Sequence, residues 1–202
     1  MITACPGIEY MIARLHRLVI GHGCPPTRLI KVTKGDVCSI YQASRTVRGA
    51  NLQYIVTNHK EYLQKLDMNN FAAMIVVSLL SNPQDGKPDN YIVEIEAHSN
   101  QETGSPELTS LYIVGIDNDM AFGKEVVCIK SMGSEIFSTE IRNILYLLPN
   151  MDFPIPEEFL NTFLSKSPEL ILVTWLLNLF EQNNEYEKLL ASGLFTMEEF
   201  CG

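Results

Sequence analysis

Residues 68–80 read Met-Asn-Asn-Phe-Ala-Ala-Met-Ile-Val-Val-Ser-Leu-Leu, and from Phe71 onward the run is apolar on nearly every face of a helix. A helix of that kind persists only when other elements cover it from all sides. The rest of the chain must therefore be wrapped around it. Asp67 or Asn69 can cap its start, and its buried body predicts a rigid mount for the loop beyond residue 80.

That loop is polar and rich in turn formers: Ser81-Asn82-Pro83-Gln84-Asp85-Gly86-Lys87-Pro88-Asp89-Asn90. Residues 91–96 then alternate as a half-buried strand. Residues 97–106 read as a polar loop, and 111–116 (Leu-Tyr-Ile-Val-Gly-Ile) as the returning strand, which ends in Asp117-Asn118-Asp119. Such a hairpin would set Asn90 beside Asp117 at its open end. Phosphoryl transfer from ATP needs an acid to orient the acceptor hydroxyl, a cation on the moving phosphate and oxygen ligands for magnesium. Asp85, Lys87 and the pair Asn90 with Asp117 have those chemistries. A plainer reading stands beside this one, because Asp-Gly and Pro-Asp-Asn are ordinary turn formers and Asp117-Asn118-Asp119 suits a solvated turn.

The order and spacing resemble the C-terminal lobe of the kinase-like superfamily. There, a catalytic-loop Asp is followed five residues later by a metal-binding Asn, and a strand then delivers a metal-binding Asp ahead of a Phe. The Ile116-Asp117-Asn118-x-x-Ala121-Phe122 form is most similar to type II phosphatidylinositol 4-kinases and related atypical kinases of the phosphatidylinositol 3-/4-kinase kind. The resemblance spans residues 7–148, and its specific parts are the two loops. It departs from ordinary protein kinases in having no His-Arg before Asp85, no Asp-Phe-Gly and no downstream Ala-Pro-Glu.

The resemblance implies an ATP- and magnesium-dependent transferase. Asp85 would take the acceptor proton, Lys87 would neutralise phosphate charge, and Asn90 and Asp117 would hold magnesium, with Asp119 as an extra ligand or a solvated turn acid. Glu9, the acid on a helix expected over residues 7–20, would pair with a nucleotide-binding lysine; a solvated first-turn glutamate is the alternative. Residues 49–53 resemble the linker between kinase lobes. Lys124 and Lys130 would lie where lipid kinases meet anionic head groups, or on a solvated face. The acceptor would be a phosphoinositide lipid or a protein hydroxyl, the location cytoplasmic, and any membrane contact peripheral.

The expected fold is α+β: a kinase-like C-terminal lobe, a reduced strand portion before it and a helical tail. It would form one domain, with residues 1–55 as a partial N-terminal lobe and hinge, 56–150 as the catalytic lobe and 151–202 as the tail. A phosphate-covering Gly-x-Gly-x-x-Gly and a Val-Ala-x-Lys strand are missing. The chain is then a fragment of a longer kinase, a kinase with an abbreviated lobe over 28–52, or a relative that binds without catalysis.

Composition limits the alternatives. A formal charge of −9 opposes a nucleic-acid partner. No apolar run reaches the ~18 residues of a membrane span, and the first residues lack the basic segment followed by an apolar one that a secretory signal shows. The five cysteines are scattered without Cys-x-x-Cys pairs, which suits reduced thiols. Nothing in the sequence fixes Cys24 or Cys38 against His16 or His22, and no esterase elbow, zinc-protease or P-loop motif occurs.

Elsewhere, 28–32 and 37–41 read as strands around a 34–36 turn, with Lys31 and Lys34 as surface lysines. Residues 60–66 read as a short helix and 125–129 as a strand. Residues 141–148, 156–164 and 168–180 read as helices between prolines, with a polar continuation over 181–187. Trp175 with Leu172, Leu176 and Leu179 reads as a core-packing face.

Overall fold

The computed structural model describes residues 6–34, 37–83, 85–99, 106–118, 120–122, 126–131, 134–139 and 142–191. The chain is α+β. Helix α1 (Pro6–Ile20) buries Ile12, Leu15 and Val19 and leaves through Gly21 at φ +80°. It lies against an antiparallel hairpin of β1 (Thr27–Lys34) and β2 (Val37–Ser44). Both strands run longer than the apolar spacing indicates. Ladder bonds need only backbone, so pairing outlasts the side-chain pattern.

A three-stranded antiparallel sheet of β3 (Gly49–Asn51), β4 (Tyr91–Ser99) and β5 (Pro106–Gly115) packs on the core helix. Residues 49–51 are therefore an edge strand, and Asn51 caps helix α2 (Leu52–Asn58) by accepting from Gln53 N. A 3-10 turn, Lys60–Lys65, leads to helix α3 (Met68–Ser81), capped by Asp67 through Asn70 N at 2.7 Å. Phe71, Ala73, Met74 and Val77 are buried, and Phe71, Met74 and Val77 join Val93, Leu111 and Ile113 in the core. The last turn departs from the all-round expectation: Leu79 and Leu80 are 53% and 51% exposed.

The register Tyr91↔Gly115, Val93↔Ile113 and Ile95↔Leu111 fixes the hairpin. It continues past a shift at Glu96/Ala97 to Ser99↔Pro106, so strand replaces much of the loop expected over 97–106. The outer edge of β5 needs partners for its backbone, and helix α3 supplies them. Asn70 Oδ1 accepts from Ile113 N at 2.7 Å, and its Nδ2 donates to Ile113 O at 3.2 Å. One amide thus stands in for a fourth strand. Asn70→Ala leaves two buried backbone groups unpaired and should lower the unfolding free energy by about 2 kcal/mol. The expected readout is a lower urea midpoint at unchanged slope.

A separate hairpin pairs β6 (Val126–Ser131) with β7 (Ser134–Thr139), a strand the sequence did not announce. Of the α-helix expected over 141–148, the described residues 142–148 take another form. Asn143 Oδ1 caps Leu145 N at 3.0 Å, a single 3-10 turn occupies Ile144–Leu147, and Pro149 starts another, Pro149–Asp152. Helix α4 (Glu157–Leu164) precedes α5 (Pro168–Ala191), which carries on through the polar 181–187 segment.

Helix α5 touches α1 by a narrow face. Trp175 Nε1 donates to Met11 O at 3.0 Å, and Ile171 packs beside it. Leu172 and Leu176 are 55% and 56% exposed, so the expectation that they pack in the core is corrected. Each lies one residue, hence about 100°, around the helix from the contact row. Among the described residues no helix is long and apolar enough to cross a membrane.

Candidate functional site

The exit from α3 is set by backbone. Asn82 caps it in the left-handed region at φ 34°, and Phe122 N donates to Ser81 O. The loop is then pinned from the far side, where Gly86 bridges Asn143 and accepts from Ile144 N at 2.8 Å. Gly86 is buried, and nothing larger fits there. A Cβ would overlap the Arg142 carbonyl and come within 2.8 Å of Asn143 Cα.

On this mount the polar residues close into one turn. Asn90 is buried, and its Nδ2 donates to the carbonyl of Asp85 at 2.7 Å across the five-residue spacing. Its N–H donates to Lys87 O at 3.1 Å, completing the 3-10 turn Pro88–Asn90. Asn51 ties the same turn to the edge strand through Asp89 O at 3.0 Å. Lys87 Nζ meets Asp85 Oδ2 at 2.7 Å. That hydrogen bond, then the Asp85 charge, and then the charges of Asp117 and Asp89 hold the ammonium above the usual lysine range.

The second segment joins the first through backbone. Ile116 N donates to Asn90 O at 2.8 Å, one residue before Asp117. Asp117 is exposed, with φ +57°. Non-glycine residues seldom adopt this conformation, though Asp and Asn tolerate it better than most. Asp85, Lys87, Asn90 and Asp117 are thus gathered at the open end of the β4–β5 hairpin.

Glu9 Oε2 accepts from Gln42 Nε2 of β2, so a glutamine is its partner where the resemblance implies a nucleotide-binding lysine. Asp119 and Lys124 lie outside the described residues, and Lys130 falls on β6.

One pairing escaped the sequence. His16 Nδ1 and Cys24 Sγ lie 2.8 Å apart, which corrects the expectation that nothing joins them. Burial pushes the imidazole down to about 4. Burial, with the Glu9 charge adding to it, pushes the thiol above its ordinary range. A neutral imidazole and an intact thiol are the reverse of a nucleophilic thiolate pair. The chain separation of eight residues crosses a helix end and two glycines, so no spacing rule announces the contact.

The donor set at the acidic turns is hard oxygen, from Asp85, Asn90 and Asp117, with one ammonium. That chemistry fits magnesium and phosphate, since magnesium is commonly held by one or two carboxylates plus substrate oxygens. Among the described residues no group of three or more His, Cys, Asp or Glu could hold a metal unaided. A cavity of about 670 Å³ lies elsewhere, walled by Val56, Leu63, Leu147, Leu148 and Phe153. It contains none of the four gathered residues. No protein-family model matches the chain, and no curated protein matches it either, so the arrangement is read from its own chemistry.

Proposed function

We propose that residues 1–202 form a single kinase-like domain that transfers a phosphoryl group from ATP, with magnesium, to an inositol-lipid hydroxyl. A protein hydroxyl is the alternative acceptor. The observation that carries this reading is the closed Asp85–Asn90 turn, bonded through Asn90 O to the residue preceding Asp117.

In this reading Asp85 orients the acceptor hydroxyl and receives its proton as the new bond forms. Lys87, held against Asp85, presents positive charge to the moving phosphate. Asn90 and Asp117 would hold magnesium, which supplies charge neutralisation at the phosphates when bound. A cytoplasmic site with peripheral membrane contact goes with a lipid acceptor. The Glu9–Gln42 bond favours a second reading, a module that keeps the fold and the nucleotide without turnover.

Nucleotide binding tests both. Saturating Mg·ATP should raise the melting temperature by about 5 °C or more, as for a ligand at a hundred times its dissociation constant. Asp117→Ala should abolish that rise. No rise in the wild type rejects both readings. Radiolabelled ATP with phosphoinositide vesicles and with protein substrates then separates them: label in lipid supports the proposal, label only in protein moves it to the alternative acceptor, and no label with a retained thermal shift leaves the non-catalytic module.

A further inference from the structure

The left-handed backbone at Asp117 is a conformation that surrounding contacts have to impose. On its N-terminal side they are plain: Ile116 N to Asn90 O, and Gly115 N to Gly23 O, each at 2.8 Å. On its C-terminal side the next residue, Asn118, donates from Nδ2 to Cys24 Sγ at 3.4 Å. That sulfur is the one that meets His16 Nδ1 at 2.8 Å, on the helix that also carries Glu9. Asp117 is therefore suspended between an anchor in the β4–β5 hairpin and an anchor in α1.

We propose that Cys24 and His16 are positioning residues for Asp117, the chain Asn118–Cys24–His16 fixing the loop that presents the Asp117 carboxylate. The thiol suits the task because one sulfur accepts from the Asn118 amide and shares a proton with the imidazole. Burial keeps both thiol and imidazole uncharged, so the link brings no second charge beside the carboxylate. His16 itself is held in the body of α1, where Leu15 and Val19 are buried next to it. The same helix reaches the other end of the segment too. Trp175 Nε1 bonds Met11 O at 3.0 Å, and its ring lies 5.9 Å from that of Phe122. A shift of α1 is thus passed to the Asp117 segment at both ends.

Hydrogen exchange of the full chain tests the link without assuming any activity. Cys24→Ala and His16→Phe should each speed exchange of the 115–122 amides by about tenfold or more while the α3 amides stay as in wild type, and Cys24→Ser should restore much of the protection. Unchanged exchange at 115–122, or equal loss in α3, overturns the proposal; the second outcome makes Cys24 and His16 mere core supports. A metal arm adds the functional consequence and rests on the phosphotransfer reading. With ATP present, Cys24→Ala should weaken Mn²⁺ binding by about tenfold, the scale seen when a partner behind a metal ligand is removed. A wild type that binds no Mn²⁺·ATP defeats that reading, and the exchange comparison still decides the positioning role.

Discussion

Asp85→Asn should lower phosphoryl transfer by about 10²–10⁴-fold, the range for loss of a positioned general base, while leaving the Mg·ATP-induced rise in melting temperature in place. The turn does not depend on the carboxylate, because the atom that Asn90 grips is the Asp85 backbone carbonyl. An amide oxygen at the same place can still accept from Lys87, whose present bond to Oδ2 is 2.7 Å. Lys87 is exposed, so losing its charge partner should matter little to stability. On the proposed reading, the one thing lost is the group that takes a proton from the acceptor. Asp117→Ala contrasts with it, being expected to lose both binding and transfer. Initial rates with radiolabelled ATP beside melting curves on the same samples make the comparison. An unaltered rate in Asp85→Asn would reduce Asp85 to the turn former that Asp-Gly so often is.

The parts of this arrangement that the sequence disclosed are those written in local spacing. A five-residue step from Asp85 to Asn90 lies within one turn, and the 111–116 strand runs directly into Asp117. Their proximity follows once the two strands pair. The apolar 71–80 run likewise discloses most of its burial, because few of its faces offer an alternative, although Leu79 and Leu80 stand exposed.

Contacts made by distant segments were hidden. Glu9 meets Gln42 across 33 residues, and Asn118 meets Cys24 across 94. Neither follows from a pattern within either segment. Strand lengths were underread for a different reason: Ala97–Ser99 is held by ladder bonds that leave no hydrophobic trace. The Leu172–Leu176 side of α5 shows the converse limit, since an apolar stripe states what a helix would bury and not which stripe wins. There Trp175 and Ile171 took the contact with α1 and the core, leaving the adjoining leucines outside.

Gly86→Ala should be the most damaging single-methyl change near the acidic turns, lowering stability by about 3 kcal/mol and removing the nucleotide-dependent thermal shift along with it. The reason is where the methyl would go. It would stand against the Arg142 carbonyl and within 2.8 Å of Asn143 Cα, and both are backbone that cannot rotate aside. Relief requires parting the Gly86–Asn143 bridge and its 2.8 Å bond from Ile144 N. Asn143 would move with it, and Asn143 Nδ2 holds the buried Tyr91 hydroxyl at 2.7 Å, at the residue adjoining Asn90. A disturbance at residue 86 therefore reaches the Asp85–Asn90 turn from both ends. Gly21→Ala serves as the control: space is open around Gly21, and only its φ of +80° resists a side chain. That substitution should cost about 1 kcal/mol and leave the response to Mg·ATP intact. Urea midpoints and melting curves of the two variants give the comparison. If Gly86→Ala proved as mild as Gly21→Ala, the 142–143 segment would not be the rigid backing that holds the acidic turn in place.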